Sequence, residues 1–156
     1  MKISEILQAN LISTKVVGND KETVLNNMIE LIANSEKIQE KEKVRDAIFN
    51  REKIMSTGVG KGFAIPHGKT DGIVDMVAAF GITENDIDFD SLDGEPVKLI
   101  FLLVGKENLV GPHLKLLSRI SRLLNKDEFR SKLLTAETAE DIKGLFEAEE
   151  KNYFEN

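Results

Sequence analysis

Two runs of this chain, Met76 to Ile82 and Val97 to Val104, are almost continuously apolar. Each has the length of a strand and falls far short of a membrane span. A strand with one wet face alternates apolar and polar residues, because successive side chains point to opposite faces. A strand without that alternation needs apolar cover on both sides. The chain must therefore bring helices to both faces of one sheet, and it carries them. Val24, Leu25, Met28, Leu31 and Ile32 share one helical face, with Asn19 or Asp20 placed to cap it. A second helix is read from about Gln39 to Arg51, with Val44, Ala47 and Ile48 inward. After Gly111-Pro112, a third carries the stripe Leu114, Leu117, Ile120, Leu123 and Leu124. Short helices follow from Asp127 and from Thr138, which stands at capping-box spacing before Asp141. Near the start, Ser4 to Ala9 reads as a short helix capped by Ser4, and Leu11 to Val17 as extended chain. The expectation is an α/β fold, a three-layer-like sandwich with a central sheet flanked by α-helices. It occupies one domain over residues 1–148. The polar residues from Glu147, and 149–156 in particular, are expected to form a loosely held C-terminal tail.

Composition narrows the chemistry. The chain has 156 residues, a formal net charge of -6 and no cysteine. Disulfides, thiolate metal sites and cysteine nucleophiles are thereby excluded. Acids and bases are interspersed with no basic stripe, so no nucleic acid is expected as a partner. The N-terminal stretch has no apolar run of signal-peptide length, and a cytoplasmic location is the simple expectation. One stretch departs from the acidic average: Arg51, Lys53, Lys61 and Lys69 lie close in sequence, with Glu52 as the acid among them. An anion site is one reading of this cluster; ordinary surface lysines are the other.

From Ser56 to Gly68 the chain runs Ser-Thr-Gly-Val-Gly-Lys-Gly-Phe-Ala-Ile-Pro-His-Gly. Its glycines and Pro66 rule out a regular helix, and Phe63-Ala64-Ile65 suffices for a brief strand that delivers His67 to its end. The segment is neither a dinucleotide fingerprint nor a Walker loop, since Phe63 and Gly62 stand where those motifs need glycine and a hydroxyl. The chain has two histidines, His67 and His113. Neutral imidazole is a good nucleophile toward phosphorus, and its pKa lies near working pH. Pro66 and Gly68 leave the His67 ring fixed and uncrowded. Arg51 can grip phosphate oxygens in a fork, and the hydroxyls and bare amides around Thr57 and Gly58 can form a concave anion site. His113, in the first turn of a helix, is expected to stay neutral and donate one N–H. A structural role for either ring, or a weak metal site of His67, Asp71 and His113, stays open on these residues alone.

Arg51-Glu52-x-x-x-Ser56-Thr57-Gly58-Val59-Gly60-x-Gly62-x-Ala64-Ile65-Pro66-His67-Gly68-Lys69 closely resembles the signature of phosphotransferase-system (PTS) IIA domains of the fructose/mannitol type. Ile87 to Val97 resembles the family's middle segment, and His113-Leu114-x-x-Leu117-x-x-Ile120-x-x-Leu123-Leu124 its second-histidine helix. The resemblance implies a central mixed sheet of about five strands. It implies a phosphoryl carrier in sugar uptake, with His67 as phosphorylated nucleophile and Arg51 and His113 as phosphate-stabilising residues. Thr57 and Gly58 would bind phosphate, and neither cofactor nor metal would be required. The implied partners are the phosphocarrier HPr, a cysteine-type IIB domain and, indirectly, the membrane permease IIC. A nitrogen-type regulatory IIA, acting as a phosphorylation-dependent binding switch, shares these residues and is the alternative.

Overall fold

The computed structural model describes residues 2–154. Its order is α1 (Ile3–Ile6), β1 (Ile12–Val16), α2 (Lys21–Ile32), α3 (Lys41–Ile54), β2 (Phe63–Ala64), β3 (His67–Thr70), β4 (Val77–Ile87), β5 (Val97–Lys106), α4 (Val110–Leu124), α5 (Asp127–Thr135) and α6 (Ala139–Phe154). The five strands make one mixed sheet. Its spine is the antiparallel pair β4–β5, running from Val77↔Val104 to Ile87↔Val97. Parallel β1 flanks β4, and parallel β2 and β3 share the far edge of β5. The apolar runs of the sequence are this spine, buried on both faces.

The two faces are separate cores. Ala78, Phe80, Ile82, Leu99, Phe101 and Leu103 pack with α1, α4, α5 and α6. Val77, Ala79, Ile100, Leu102 and Val104, the alternate residues, pack with α2 and α3. Period-2 alternation thus survives as a choice between two dry layers, and the result is the expected three-layer sandwich. Asp20 caps α2 by accepting from the Thr23 N–H at 2.8 Å, and Thr138 caps α6 by accepting from the Asp141 N–H at 3.1 Å. Ser4 is not the cap of the first helix: α1 begins at Ile3, and Lys2 precedes it.

Two other expectations are corrected. Residues 149–154 are no loose tail, because α6 continues to Phe154 with Glu150 buried (2% exposed); Glu155 and Asn156 lie outside the described residues. The reason is long-range: the Glu150 carboxylate accepts hydrogen bonds from the backbone of Ile3 and Ser4. Leu114, read as part of an inward stripe, is 58% exposed, and Leu116 takes the buried place on α4. Among the described residues, no helix is long and apolar enough to cross a membrane.

Candidate active site

The far edge of β5 pairs with two short strands instead of one long one. Phe63 and Ala64 pair with Leu99 and Ile100, and His67 to Thr70 pair with Leu103 to Lys106. Pro66 has no N–H to give a ladder, so the chain breaks here. Its carbonyl still accepts from the Leu103 N–H at 3.0 Å, whereas Ile65 turns out of the ladder. The Ile65 carbonyl then faces the His67 ring, 2.8 Å from Nδ1. A carbonyl can only accept, so Nδ1 carries the proton and Nε2 keeps its lone pair.

Two elements close over this ring. Helix α3 lies against β3 so tightly that a Cβ on Gly68 would meet the Ala47 backbone carbonyl carbon at 3.0 Å. That approach brings the last turn of α3, with Arg51, beside His67. Arg51 donates to the Met55 carbonyl through Nη1 at 2.7 Å and lines the same open cleft as His67, Lys69 and His113. From the other side, α4 delivers His113. Its ring centroid is 5.7 Å from that of His67, with the planes tilted by 52°. The His113 ring rests on bare backbone, since a Cβ on Gly105 would lie 2.5 Å from its Nδ1.

His113 is 2% exposed, and neither of its ring nitrogens has a hydrogen-bond partner. A buried polar group left unpaired costs about 1–3 kcal/mol, and such groups call for an explanation. Burial, first, and then the charge of His67 and of Lys69 push its pKa down to about 4. Dehydration, more than the helix end invoked from sequence, keeps this ring neutral. The pKa of His67 is also lowered, chiefly by burial; the Ile65 carbonyl and Glu52 oppose that shift, while Arg51 and Lys69 add to it. Both rings are therefore neutral at pH 7. The cleft holds a free nucleophilic lone pair, a guanidinium, an ammonium and an unspent imidazole N–H.

The structure brings together His67, His113 and Arg51 but gives Thr57 and Gly58 another place. Thr57 donates its N–H to Glu52 Oε2 at 3.0 Å and its hydroxyl to Glu52 Oε1 at 2.5 Å. The Gly58 N–H donates to Ser56 Oγ at 3.1 Å, and neither residue lines the cleft. Gly58 is a packing glycine, for a Cβ there would meet Ser91 Oγ at 2.6 Å. Of the four cations in which the sequence allowed an anion site, Arg51 and Lys69 line the cleft, and Leu114, expected in the inward stripe, joins them. Lys69 shares a face of β3 with His67, since positions i and i+2 of a strand point the same way. Asp71, the third member of the possible metal set, pairs with Lys43 at 3.1 Å.

The sequence model of the family described as "Phosphoenolpyruvate-dependent sugar phosphotransferase system, EIIA 2" matches residues 5–149, and the chain belongs to this family. Among its relatives is the fructose-specific EIIABC component of Bacillus subtilis (strain 168), 36% identical over 97% of this chain. The chain spans about a quarter (24%) of that longer protein. The fructose-specific EIIA component of Haloferax volcanii is 34% identical, the match covering 92% of this chain and 93% of the relative. The crystal structure of the nitrogen regulatory protein IIA-Ntr from Neisseria meningitidis superposes with a TM-score of 0.87 at 34% identity, covering 92% of this chain and 98% of that one.

Proposed function

We propose that the chain is the phosphoryl-carrier IIA component of a fructose/mannitol-type sugar phosphotransferase system, with Nε2 of His67 as acceptor. The observation that carries this reading is the 2.8 Å contact from His67 Nδ1 to the Ile65 carbonyl, which leaves Nε2 unprotonated beside Arg51, Lys69 and His113. In the acceptance step, the Nε2 lone pair attacks the phosphorus of phospho-HPr. The donor N–P bond breaks, its electron pair returns to the donor imidazole, and an N–P bond forms on His67. Arg51 and Lys69 offset the phosphoryl charge, and His113 donates its free N–H to a phosphoryl oxygen. In the onward step, a thiolate on a IIB cysteine attacks the same phosphorus, and His67 leaves with its electron pair. The Nδ1 proton held on Ile65 makes that leaving group a neutral imidazole. Phosphohistidine-to-carrier transfer needs positioning and charge stabilisation from this chain.

The IIA-Ntr likeness favours a second reading, a phosphorylation-dependent regulatory switch, which shares the acceptance step. Intact-mass analysis with phosphoenolpyruvate, enzyme I and HPr tests acceptance. One acid-labile phosphoryl adduct is expected on the wild type, none on His67→Ala and a partial one on His113→Ala. A full adduct on His67→Ala would defeat the assignment. Adding a cysteine-type IIB domain separates the readings: the relay predicts that the adduct moves to IIB, the switch that it stays.

A further inference from the structure

Glu52 follows Arg51 in sequence but serves a different side of α3. Arg51 lines the cleft of His67, whereas Glu52 is buried (7% exposed) at the floor of a separate groove beside Lys21. From Glu52 an unbroken line of hydrogen bonds reaches the His67 ring. Its two carboxylate oxygens take the N–H and the hydroxyl of Thr57. The Thr57 carbonyl accepts from the Ile65 N–H at 3.2 Å, and the Ile65 carbonyl accepts from His67 Nδ1. Lys21 supplies the counter-charge, its Nζ 2.9 Å from Glu52 Oε2. Lys21 is itself anchored on the Phe89 carbonyl at 3.2 Å and over the Phe89 ring at 4.7 Å.

This network does something that packing alone would not. Ile65 lies between β2 and β3, where β5 holds its neighbours, Ala64 by pairing with Ile100 and Pro66 through its carbonyl, but not Ile65 itself. The Ile65 backbone is held instead by its N–H bond to the Thr57 carbonyl, and Thr57 is in turn pinned at two atoms by one side chain. A glutamine could accept one of the two Thr57 donors but would turn its own N–H₂ toward the other or toward Lys21. Buried ion pairs are weak as stabilisers, because desolvation offsets most of their attraction. A role in orienting the site accounts for the placement of this one.

We propose that Glu52 is a positioning residue for His67: through Thr57 and Ile65 it holds the ring in its Nδ1–H tautomer with Nε2 turned to the cleft. The inference deepens the reading of His67 as phosphoryl acceptor and rests on it, yet its decisive measurement needs no phosphoryl donor. The Glu52 charge also raises the proton affinity of His67, against Arg51 and Lys69, so removing it has a second visible effect.

NMR of the full chain labelled with ¹⁵N-histidine reads both effects. The wild type is expected to show His67 in the single Nδ1–H tautomer at neutral pH. In Glu52→Gln, the Nε2–H tautomer gains population and His67 titrates at lower pH, while phosphoryl acceptance falls on the order of 10²-fold. A folded Glu52→Gln with wild-type tautomer and titration at His67 overturns the proposal, whatever its transfer rate. Should that variant not fold, Thr57→Val removes one donor of the chain and Thr57→Ser restores it. The tautomer is expected to shift in the first and recover in the second; a wild-type ring in Thr57→Val overturns the proposal equally. A tautomer shift in a chain whose wild type accepts no phosphoryl group supports the positioning role and counts against the carrier reading instead.

Discussion

His113 is the residue at which stability and function pull apart. Its ring is buried with two unpaired nitrogens, an arrangement that a core would replace with an aliphatic side chain. In the carrier reading the missing partner is the phosphoryl group on His67. His113→Leu is therefore expected to leave the unphosphorylated protein as stable or up to about 1 kcal/mol more stable. The same substitution should slow phosphoryl transfer by ~10²–10³, the usual loss for one preorganised donor. Calorimetry and quenched-flow transfer on one preparation check both halves. The titration of the ring gives a second test. Its pKa is about 4 in the fold and has its ordinary value near 6.5 in the unfolded chain. Between these values the unfolded chain binds the extra proton, so stability falls as pH drops from about 6.5 to about 4 and is fully present above that window. The span is worth on the order of 3 kcal/mol at 1.36 kcal/mol per pKa unit, with His67 adding in the same direction. Denaturant midpoints across this range should slope steeply in the wild type and less so in His113→Leu. Equal slopes would mean that the ring titrates normally in the fold.

At the scale of elements, the site is made by two close approaches, α3 onto β3 at Gly68 and α4 onto β5 at Gly105. Gly105→Ala places a methyl 2.5 Å from Nδ1 of the His113 ring, which is 2% exposed and must leave its place beside His67 to make room. The expected result is an overpacking loss of about 1–3 kcal/mol together with a transfer defect like that of His113→Ala. Transfer at the wild-type rate would show that the ring has room elsewhere. Neither approach was legible in the sequence, since a glycine states only that something comes near. β4 and β5 were legible because eight or so apolar residues without alternation admit few other homes. β3 was not. His67-Gly68-Lys69-Thr70 has little strand propensity, and it is extended because its partner β5 offers a ladder. The His67 motif could be read as chemistry, whereas the commitment of Thr57 to Glu52 could not, because a hydroxyl beside glycines looks the same whether it faces a ligand or a carboxylate.

For the molecule as a whole, the decisive contact joins the two ends of the described chain. α1 has four residues, far too few to hold as a helix alone, and its preceding Lys2 supplies no side-chain cap. α6 caps it instead at both ends. The Glu150 carboxylate accepts from Ile3 N–H at 2.5 Å, from Ser4 N–H at 3.2 Å and from Ser4 Oγ at 3.1 Å. About two turns earlier on α6, Lys143 Nζ donates to the carbonyls of Ser4 at 2.8 Å and Leu7 at 2.7 Å. Anion at the amide end and cation at the carbonyl end match the helix dipole at each terminus. What the clamp secures is apolar: Ile3, Ile6 and Leu7 are buried in the core under α4, α5 and α6. Glu150→Ala strands the buried Ile3 amide and the half-buried Ser4 amide and should cost about 1–3 kcal/mol, with Lys143→Met costing less because its carbonyls lie nearer to water. Hydrogen exchange locates the effect. Amides of α1 and the last turns of α6 should lose protection together, while β4 and β5 keep theirs. Phosphoryl acceptance should persist at temperatures where the fold survives, because α1 and α6 contribute no residue to the cleft. A Glu150→Ala protein that stays folded yet fails to accept would mean that the α6 layer governs the cleft through α4, with which it shares a core and which carries His113.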